Sequence, residues 1–308
     1  MPELPEIEHL RRTLCPLLIG RQVLRAMLHR TDILDQLGAR VSPRFALLEG
    51  GVITALHRRG KNLSIEVRDG RVLGVHLGMT GQCFVAPTNS DPFYPTSHRH
   101  AEWDLSQPSQ RRATQRLVFR DPRRFGGLIA SPNQSTLEAM RWSKLGPDAL
   151  SVGSGELHAR LIGVRRRLKA ALLDQSLLAG MGNIYVDESL FAAKLDPRSL
   201  ASALTKADCK RLQTAIRKIL TTAVSAGGST LRDYRDGNGQ RGSFATHHLV
   251  YGRGGLPCVV CGSNLIREAI AQRTTVWCAQ CQVPIGFENT KRGAMHVLST
   301  MRSQRPSR

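Results

Sequence analysis

Long apolar runs are missing from this 308-residue chain. No segment approaches the roughly 20 apolar residues that a membrane-spanning helix requires. A basic leader is missing too: the opening Met1-Pro2-Glu3-Leu4-Pro5-Glu6 is acidic and proline-bearing, the reverse of a secretory n-region. A chain retained in a reducing cytoplasm is therefore expected. Acidic residues are scarce, 24 Asp and Glu against 44 Lys and Arg, which leaves a net charge of +20. Such an excess suits a polyanionic partner, because each Lys or Arg placed on a phosphate releases condensed counterions. On charge alone, a generally basic protein stays open. No internal repeat is visible.

Apolar residues make up 41% of the chain, enough for sizeable cores, and the length allows two domains or one large domain with an appendage. From Pro5, the spacing of Ile7, Leu10, Leu14 and Leu17/Leu18 predicts a helix, with acidic Glu6 and Glu8 in its first turn. Pro5 fits the first turn, where its missing N–H breaks no bond. Short alternating segments follow at 63–67, 72–77 and 117–119, punctuated by Asp69-Gly70 and Asp121-Pro122. A mainly β N-terminal domain is expected. The stretch 87–115, rich in Pro, Ser, Gln and Arg, is expected to contain loops, with an enlarged polar segment at 107–115.

A boundary is expected near 146–155, beyond which the pattern turns helical. Leu212, Ile216, Ile219, Leu220 and Ala223 share a face of a helix over 205–226, with Thr205 and Asp208 as a capping box and Gly227-Gly228 as its stop. The glycine-rich polar segment 227–242 is long enough to be functional or mobile.

Three cysteines, Cys15, Cys83 and Cys209, are scattered, whereas Cys258-x2-Cys261-x16-Cys278-x2-Cys281 forms a cluster. That pattern suits a metal site more than a disulfide framework. Two CxxC turns present four thiolates that close a tetrahedron of ~2.3 Å Zn–S bonds, a full coordination shell and hence one structural zinc. Iron–sulfur and disulfides are the alternatives. A β-hairpin carrying Arg273 is expected between the pairs, and Arg273 reads equally as a phosphate contact or a solvated arginine.

Removal of Met1 would leave Pro2 with a free secondary amine. α-Amino groups titrate near about 7.7–8, against roughly 10.4 for lysine, so a useful fraction is neutral at pH 7. Attack on an aldehyde-equivalent carbon gives an iminium, an electron sink for elimination, and Glu3 beside it is placed to move protons. Proline is also a common second residue, so Pro2 in isolation decides nothing. The whole string does more. Met1-Pro2-Glu3-Leu4-Pro5-Glu6-Ile7-Glu8, Arg59-Gly60-Lys61-Asn62-Leu63, His76-Leu77-Gly78-Met79-Thr80-Gly81, Asp121-Pro122-Arg123-Arg124-Phe125-Gly126, Gly182-Asn183-Ile184-Tyr185 and Val250-Tyr251-Gly252-Arg253 together resemble the formamidopyrimidine-DNA glycosylases, in family order over about residues 1–284.

The resemblance implies an α+β architecture: an N-terminal β-sandwich with an N-terminal helix, a C-terminal helical domain of the helix–two-turn–helix kind, and a zinc-finger β-hairpin. The divisions then fall at 1–145, 146–247, 248–284 and a basic, disordered tail at 285–308. It further implies a monomer acting on double-stranded damaged DNA, excising oxidised purines and then cutting the strand by β- and δ-elimination. By the match, Pro2 is the Schiff-base nucleophile, Glu3 the general acid/base, Glu6 a supporting carboxylate, Lys61 the proton donor of β-elimination, and Arg273 the phosphate-binding residue of δ-elimination. Met79, Arg123 and Phe125 match residues that fill the void left by an extruded base, at loop tips more than in the β core. Asn183 would cap the following helix and bind phosphate there. His98, Arg165 and Lys169 match DNA-contacting positions, with His100 competing with His98. The rival readings are the endonuclease-VIII-like branch, which prefers oxidised pyrimidines, and a non-catalytic zinc-ribbon DNA-binding protein.

Overall fold

The computed structural model describes residues 2–88, 96–229, 234–240 and 242–286. The expected basic tail, from residue 287 onward, and residues 230–233 and 241 of the glycine-rich segment lie outside the described residues.

Helix α1 (Leu4–Leu18) starts where the spacing places it, with Pro5 in the first turn. Its reciprocal cap is acidic: the Glu3 N–H donates to Glu6 Oε2 at 2.7 Å. The helix belongs to two cores. Ile7, Leu10, Leu14 and Leu18 enter the N-terminal core, whereas Leu4 packs into the C-terminal one.

The strands of the N-terminal part are β1 (Gln22–Leu28), β2 (Leu34–Gln36), β3 (Ile53–Arg59), β4 (Asn62–Val67), β5 (Val72–His76), β6 (Gln82–Pro87), β7 (Arg99–Ser106), β8 (Gln115–Arg120) and β9 (Gly127–Ser131). They form a four-stranded antiparallel sheet in the order β1-β7-β8-β6 and a five-stranded sheet in the order β2-β9-β5-β4-β3, where only β2 and β9 run parallel. Alternate residues of the two sheets meet in one core: Leu63, Ile65, Leu73 and Val75 from one, Ala101, Trp103, Leu105, Leu117 and Phe119 from the other. Within the stretch 87–115, expected to contain loops, β7 is a full strand between loop residues at 96–98 and 107–114. It lies inside its sheet, and inward-facing Ala101, Trp103 and Leu105 outweigh the polar composition around them.

The C-terminal part is helical, with α4 (Ser154–Leu161), α5 (Leu168–Leu173), α6 (Asn183–Ala192) and α7 (Lys206–Ser225) around a core that includes Tyr185, Leu190, Leu212 and Ile216. Two short helices, α2 (Pro43–Ala46) and α3 (Gln134–Leu137), belong to the sandwich side. The capping box of α7 forms as read: Thr205 Oγ1 accepts from the Asp208 N–H at 3.2 Å, and the Thr205 N–H donates to Asp208 Oδ2 at 2.9 Å. The hairpin β10 (Ile266–Ile270) and β11 (Arg273–Trp277) turns through Ala271 and Gln272. Both turn residues have positive φ, 50° and 58°, the conformation of a two-residue hairpin turn that usually employs Asn and Gly.

The two parts are locked by directional bonds. Arg58, at the end of β3, reaches Asp148 at 2.6 Å and Glu8 at 3.0 Å, and the Gly60 N–H donates to Asp148 Oδ2 at 2.9 Å. Burial raises the Glu8 carboxyl, but bonds from Arg11, Arg12 and Arg58 win and hold it near about 2. Arg58→Ala takes the one guanidinium shared by buried Glu8 and partly buried Asp148 out of the seam and is expected to lower stability by about 3 kcal/mol. Arg30→Ala, which breaks only a surface pair with Asp32, should leave the urea midpoint in place. Equal midpoints for wild type and Arg58→Ala would rule the lock out.

Candidate active site

The seam between the two parts gathers the carboxylates of the opening string. Glu3 is 4% exposed, and its side chain crosses to the start of α6, accepting from the Ile184 N–H at 3.1 Å and the Tyr185 N–H at 3.4 Å. The helix N-terminus favours negative charge there. Gly182 makes the approach possible: a Cβ at that position would stand 2.2 Å from the Glu3 carboxyl carbon. Burial, the largest influence, raises the Glu3 pKa to about 7; Lys61 and the α6 amides oppose the rise, and Glu6 adds to it. Pro2 is buried beside it.

Glu6 is held by three donors. Glu6 Oε2 accepts from the Glu3 N–H, while Oε1 accepts from the Tyr185 hydroxyl at 2.6 Å and the Ser229 N–H at 2.7 Å. Its backbone carbonyl accepts from the Tyr234 hydroxyl at 2.7 Å. These bonds tie the start of α1 to α6 and to the glycine-rich segment. At Gly228, φ is +80° and a Cβ would meet Glu6 Oε1 at 2.6 Å, so glycine is required for the close approach.

Lys61 sits in the β3–β4 turn after Gly60, 9% exposed. Burial lowers its pKa; the charges of Glu3 and Glu6 oppose this, and Arg273 reinforces it. The hairpin arginine thus lies within electrostatic reach of Lys61, although 212 positions separate them in sequence, from 61 to 273. Arg273 itself is exposed at the start of β11.

Two expectations need correction here. Lys169 is no surface contact. It is fully buried, donating to Asp187 Oδ1 at 2.7 Å and to the Thr274 carbonyl at 3.0 Å. An ammonium so far from water persists only where it is paired, and here it ties α5 and α6 to the residue after Arg273. Asn183 does not cap α6. Gly182 holds the N-cap position, Asn183 is the first helical residue, and its side-chain N–H donates to the Thr274 carbonyl at 2.9 Å. Capping passes instead to Glu3, which no local spacing could indicate.

The other expected contacts lie on loops. Met79 is 39% exposed and Phe125 54%, outside every core cluster of the described residues. Buried Asp121 fixes both loops: Thr80 donates to Oδ1 at 2.5 Å and the Gly126 N–H to Oδ2 at 2.7 Å. Arg123 stacks its guanidinium 4.8 Å from the centre of the Phe125 ring. His98 is exposed at φ 64°, whereas His100 is buried with Nε2 2.8 Å from the Asp121 carbonyl oxygen, a structural partner of that loop. Arg165 is exposed ahead of α5.

Tyr185, Ser229, Asp187 and Glu188 complete the site's support and were not singled out from the sequence. Glu188 accepts from the N–H groups of Leu249, Val250 and Tyr251, at 2.8 Å for the last, and so fixes the chain entering the cysteine hairpin. The available signal was polarity: Asp187, Glu188 and Ser189 are consecutive in a helix buried nearly all round. The four cysteine sulfurs lie within 4.8 Å of one another, with Cys258–Cys281 at 3.9 Å and Cys261–Cys278 at 3.4 Å. Tetrahedral Zn–S bonds of ~2.3 Å demand edges near ~3.8 Å, so the cluster fits zinc.

Models of three protein families match the chain: the formamidopyrimidine-DNA glycosylase N-terminal domain over residues 1–128, the formamidopyrimidine-DNA glycosylase H2TH domain over 145–235, and the zinc finger found in FPG and IleRS over 255–283. A formamidopyrimidine-DNA glycosylase of Thermomicrobium roseum is 43% identical over 296 residues, covering 92% of this chain and 99% of its own. The MutM (FPG) protein of Thermus thermophilus superposes with a TM-score of 0.78 at 40% identity, over 91% of this chain and 98% of that one. The Lactococcus lactis Fpg solved with DNA containing an abasic site gives a TM-score of 0.78 at 29% identity, over 91% and 99%. The four cysteines accordingly carry one structural zinc.

The buried Glu3 has a consequence for stability. Its folded pKa, about 7, stands above the ordinary glutamate value of 4.5, so between those values the folded chain binds more protons than the unfolded one. Stability from this group is complete below pH 4.5 and is lost as pH rises through 7, on the order of 3 kcal/mol in all. Urea titrations of wild type and Glu3→Gln at pH 5 and pH 8 should show the wild type losing stability that the variant keeps. Parallel losses would mean that Glu3 is ionised throughout.

Proposed function

The chain belongs to the formamidopyrimidine-DNA glycosylase family and is a DNA glycosylase of base excision repair, and from that premise we propose that it is bifunctional: it excises oxidised purines through a Schiff base on Pro2 and then cuts the strand by β,δ-elimination. The observation that carries this reading is the juxtaposition at the start of α1. A buried carboxylate with a pKa near 7 lies next to Pro2, under the influence of a buried lysine that itself feels the charge of the hairpin arginine. A group that titrates near the working pH is suited both to donate and to accept a proton.

In the proposed sequence the neutral Pro2 amine attacks C1′ of the lesion sugar and the glycosidic bond breaks. The electron pair leaves with the base, and Glu3 supplies or relays the proton. The proline nitrogen then gives up its proton, the C1′–O4′ bond breaks with O4′ taking a proton, and the opened sugar is left as an iminium. This withdraws electrons, so a proton is lost from C2′ and the C3′–O bond breaks. Lys61, whose depressed pKa eases proton exchange, serves this step. In a second elimination a proton is lost from C4′ and the C5′–O bond breaks, so the phosphate on the sugar's 5′ side leaves with Arg273 on it. Zinc stays outside the chemistry, because four thiolates leave it no open position; it holds the hairpin that carries Arg273.

DNA would lie over Met79, Arg123 and Phe125, with Phe125 as the wedge and Arg123 facing the orphaned cytosine, whose acceptors suit a guanidinium. His98, Arg165 and Asn183 would meet phosphates. The net charge of +20 supports a duplex partner, and the Lactococcus lactis relative has been solved with DNA containing N7-benzyl-Fapy-dG.

The test is borohydride trapping of the Met-processed protein on a duplex carrying 8-oxoguanine opposite cytosine, beside a duplex with an oxidised pyrimidine. A covalent adduct on the purine duplex, sharply reduced in Pro2→Gly, is expected. Adduct only with the pyrimidine would transfer the chain to the endonuclease-VIII-like preference. Binding without adduct on either duplex would leave a non-catalytic DNA-binding protein.

A further inference from the structure

One half-buried imidazole stands at the end of a polar chain that leads into the site. His248 Nε2 lies 2.9 Å from Ser229 Oγ, Ser229 Oγ lies 3.2 Å from the Tyr185 hydroxyl oxygen, and Tyr185 donates to Glu6 Oε1 at 2.6 Å. Glu6 in turn receives the Glu3 N–H on its other oxygen. The direction of the chain follows from counting protons. Tyr185 has one, and the shortest bond in the chain commits it to Glu6. Ser229 has one as well, so a bond between the two hydroxyls requires Ser229 to donate to Tyr185. Ser229 Oγ can then only accept from the imidazole, which fixes the proton of His248 on Nε2. Every donor along the path points toward Glu6, and each polarises the next.

We propose that His248 is a positioning residue for the reaction, holding the Glu6 carboxylate through Ser229 and Tyr185 and thereby the backbone of Glu3 beside Pro2. The assignment rests on the Schiff-base reading above. The surroundings of His248 suit a fixed donor. Phe244 and Tyr251 meet it edge-on, with ring centres 5.8 and 5.5 Å away, so the ring has little freedom to turn. Burial, helped by neighbouring His247, lowers its pKa to about 4, so at neutral pH it is an uncharged ring with one N–H. Protonation at lower pH keeps that N–H, so the chain does not depend on the charge of His248. The other titratable groups facing the path are Glu3, Tyr234 and Lys61, and none of them replaces the donor to Ser229.

Ser229 is placed for this work because its backbone N–H also bonds Glu6. Ser229→Ala therefore keeps one contact with the carboxylate and removes only the hydroxyl relay. His248→Leu keeps an apolar filler between Phe244 and Tyr251 and removes the donor, whereas His248→Gln restores an N–H on a side chain of similar reach.

The experiment compares single-turnover excision rates of full-length, zinc-loaded proteins on the 8-oxoguanine duplex, with binding to a duplex bearing a tetrahydrofuran abasic analogue as the check on folding. His248→Leu and Ser229→Ala should each slow excision by roughly three- to tenfold, the scale of one lost hydrogen bond, with abasic-duplex affinity unchanged. The double variant should be no slower than either single one, and His248→Gln should recover most of the rate. A wild-type rate for His248→Leu, a glutamine variant no better than leucine, or additive losses in the double variant would each overturn the proposal. Should His248→Leu fail to bind the abasic duplex, His248→Gln in the Ser229→Ala background decides: no further change supports the chain, and a further change refutes it. A wild-type protein that excises nothing would sink the Schiff-base reading itself, an outcome separate from all of these.

Discussion

The Glu3 carboxylate seated on the first turn of α6 is the contact on which the arrangement of the molecule turns. Removing a carboxylate from water costs several kcal/mol, and two backbone N–H groups with the positive end of a helix offset only part of that. The remainder appears as a pKa near 7. The contact is possible only because residue 182 lacks a side chain, and it joins an N-terminal residue to a helix 181 positions away. Wherever α6 goes, the start of α1 must follow. The apolar side of the same junction is Leu4, which leaves the sandwich and packs into the helical core.

Other seams follow the same pattern. The apolar clusters are largely separate, one in the sandwich, one in the helical part and one under the cysteine hairpin. What joins them is directional: Arg58 with Asp148, Lys169 with Asp187 and Thr274, and Glu188 with three successive N–H groups. Apolar burial tolerates sliding between surfaces, whereas a buried charge with fixed partners tolerates little, since a misplaced one is left unpaired. Pro2, Lys61 and Arg273, the groups proposed to react, sit on turns and termini along these seams, where a rigid scaffold presents them from several elements at once. The zinc cluster serves the same end, because a hairpin this small buries too little apolar surface to hold Arg273 in place unaided.

Much of this was legible in the chain. The stripe Ile7, Leu10, Leu14 forms the buried face of α1, the Thr205–Asp208 cap forms as read, and four cysteines at CxxC spacing converge within 4.8 Å. Each depends on residues that are neighbours in sequence or in a repeating local geometry. β7 was hidden because its flanks are loop-like in composition and its alternation is short, although Ala101, Trp103 and Leu105 carried the period-2 signal of a strand. The interior place of Lys169 and the cap of α6 were hidden for a different reason. Nothing nearby in the chain shows that the Thr274 carbonyl comes to lie between Lys169 and Asn183, or that Gly182 takes the N-cap position.

The sequence by itself determined the local matters: where helices begin, which strands alternate, which thiolates share a metal, and that Pro2 has a carboxylate, Glu3, as its neighbour. Only the tertiary structure decided that Glu3 and not Asn183 caps α6, that Lys169 is interior, that Asp121 steadies the loops of Met79 and Phe125, and that Tyr185 and Ser229 stand between Glu6 and His248. The physical reason is range. Caps, periodicity and CxxC turns are set by bonds spanning a few residues, whereas burial, pKa and hydrogen-bond partners at the seam depend on how whole elements pack.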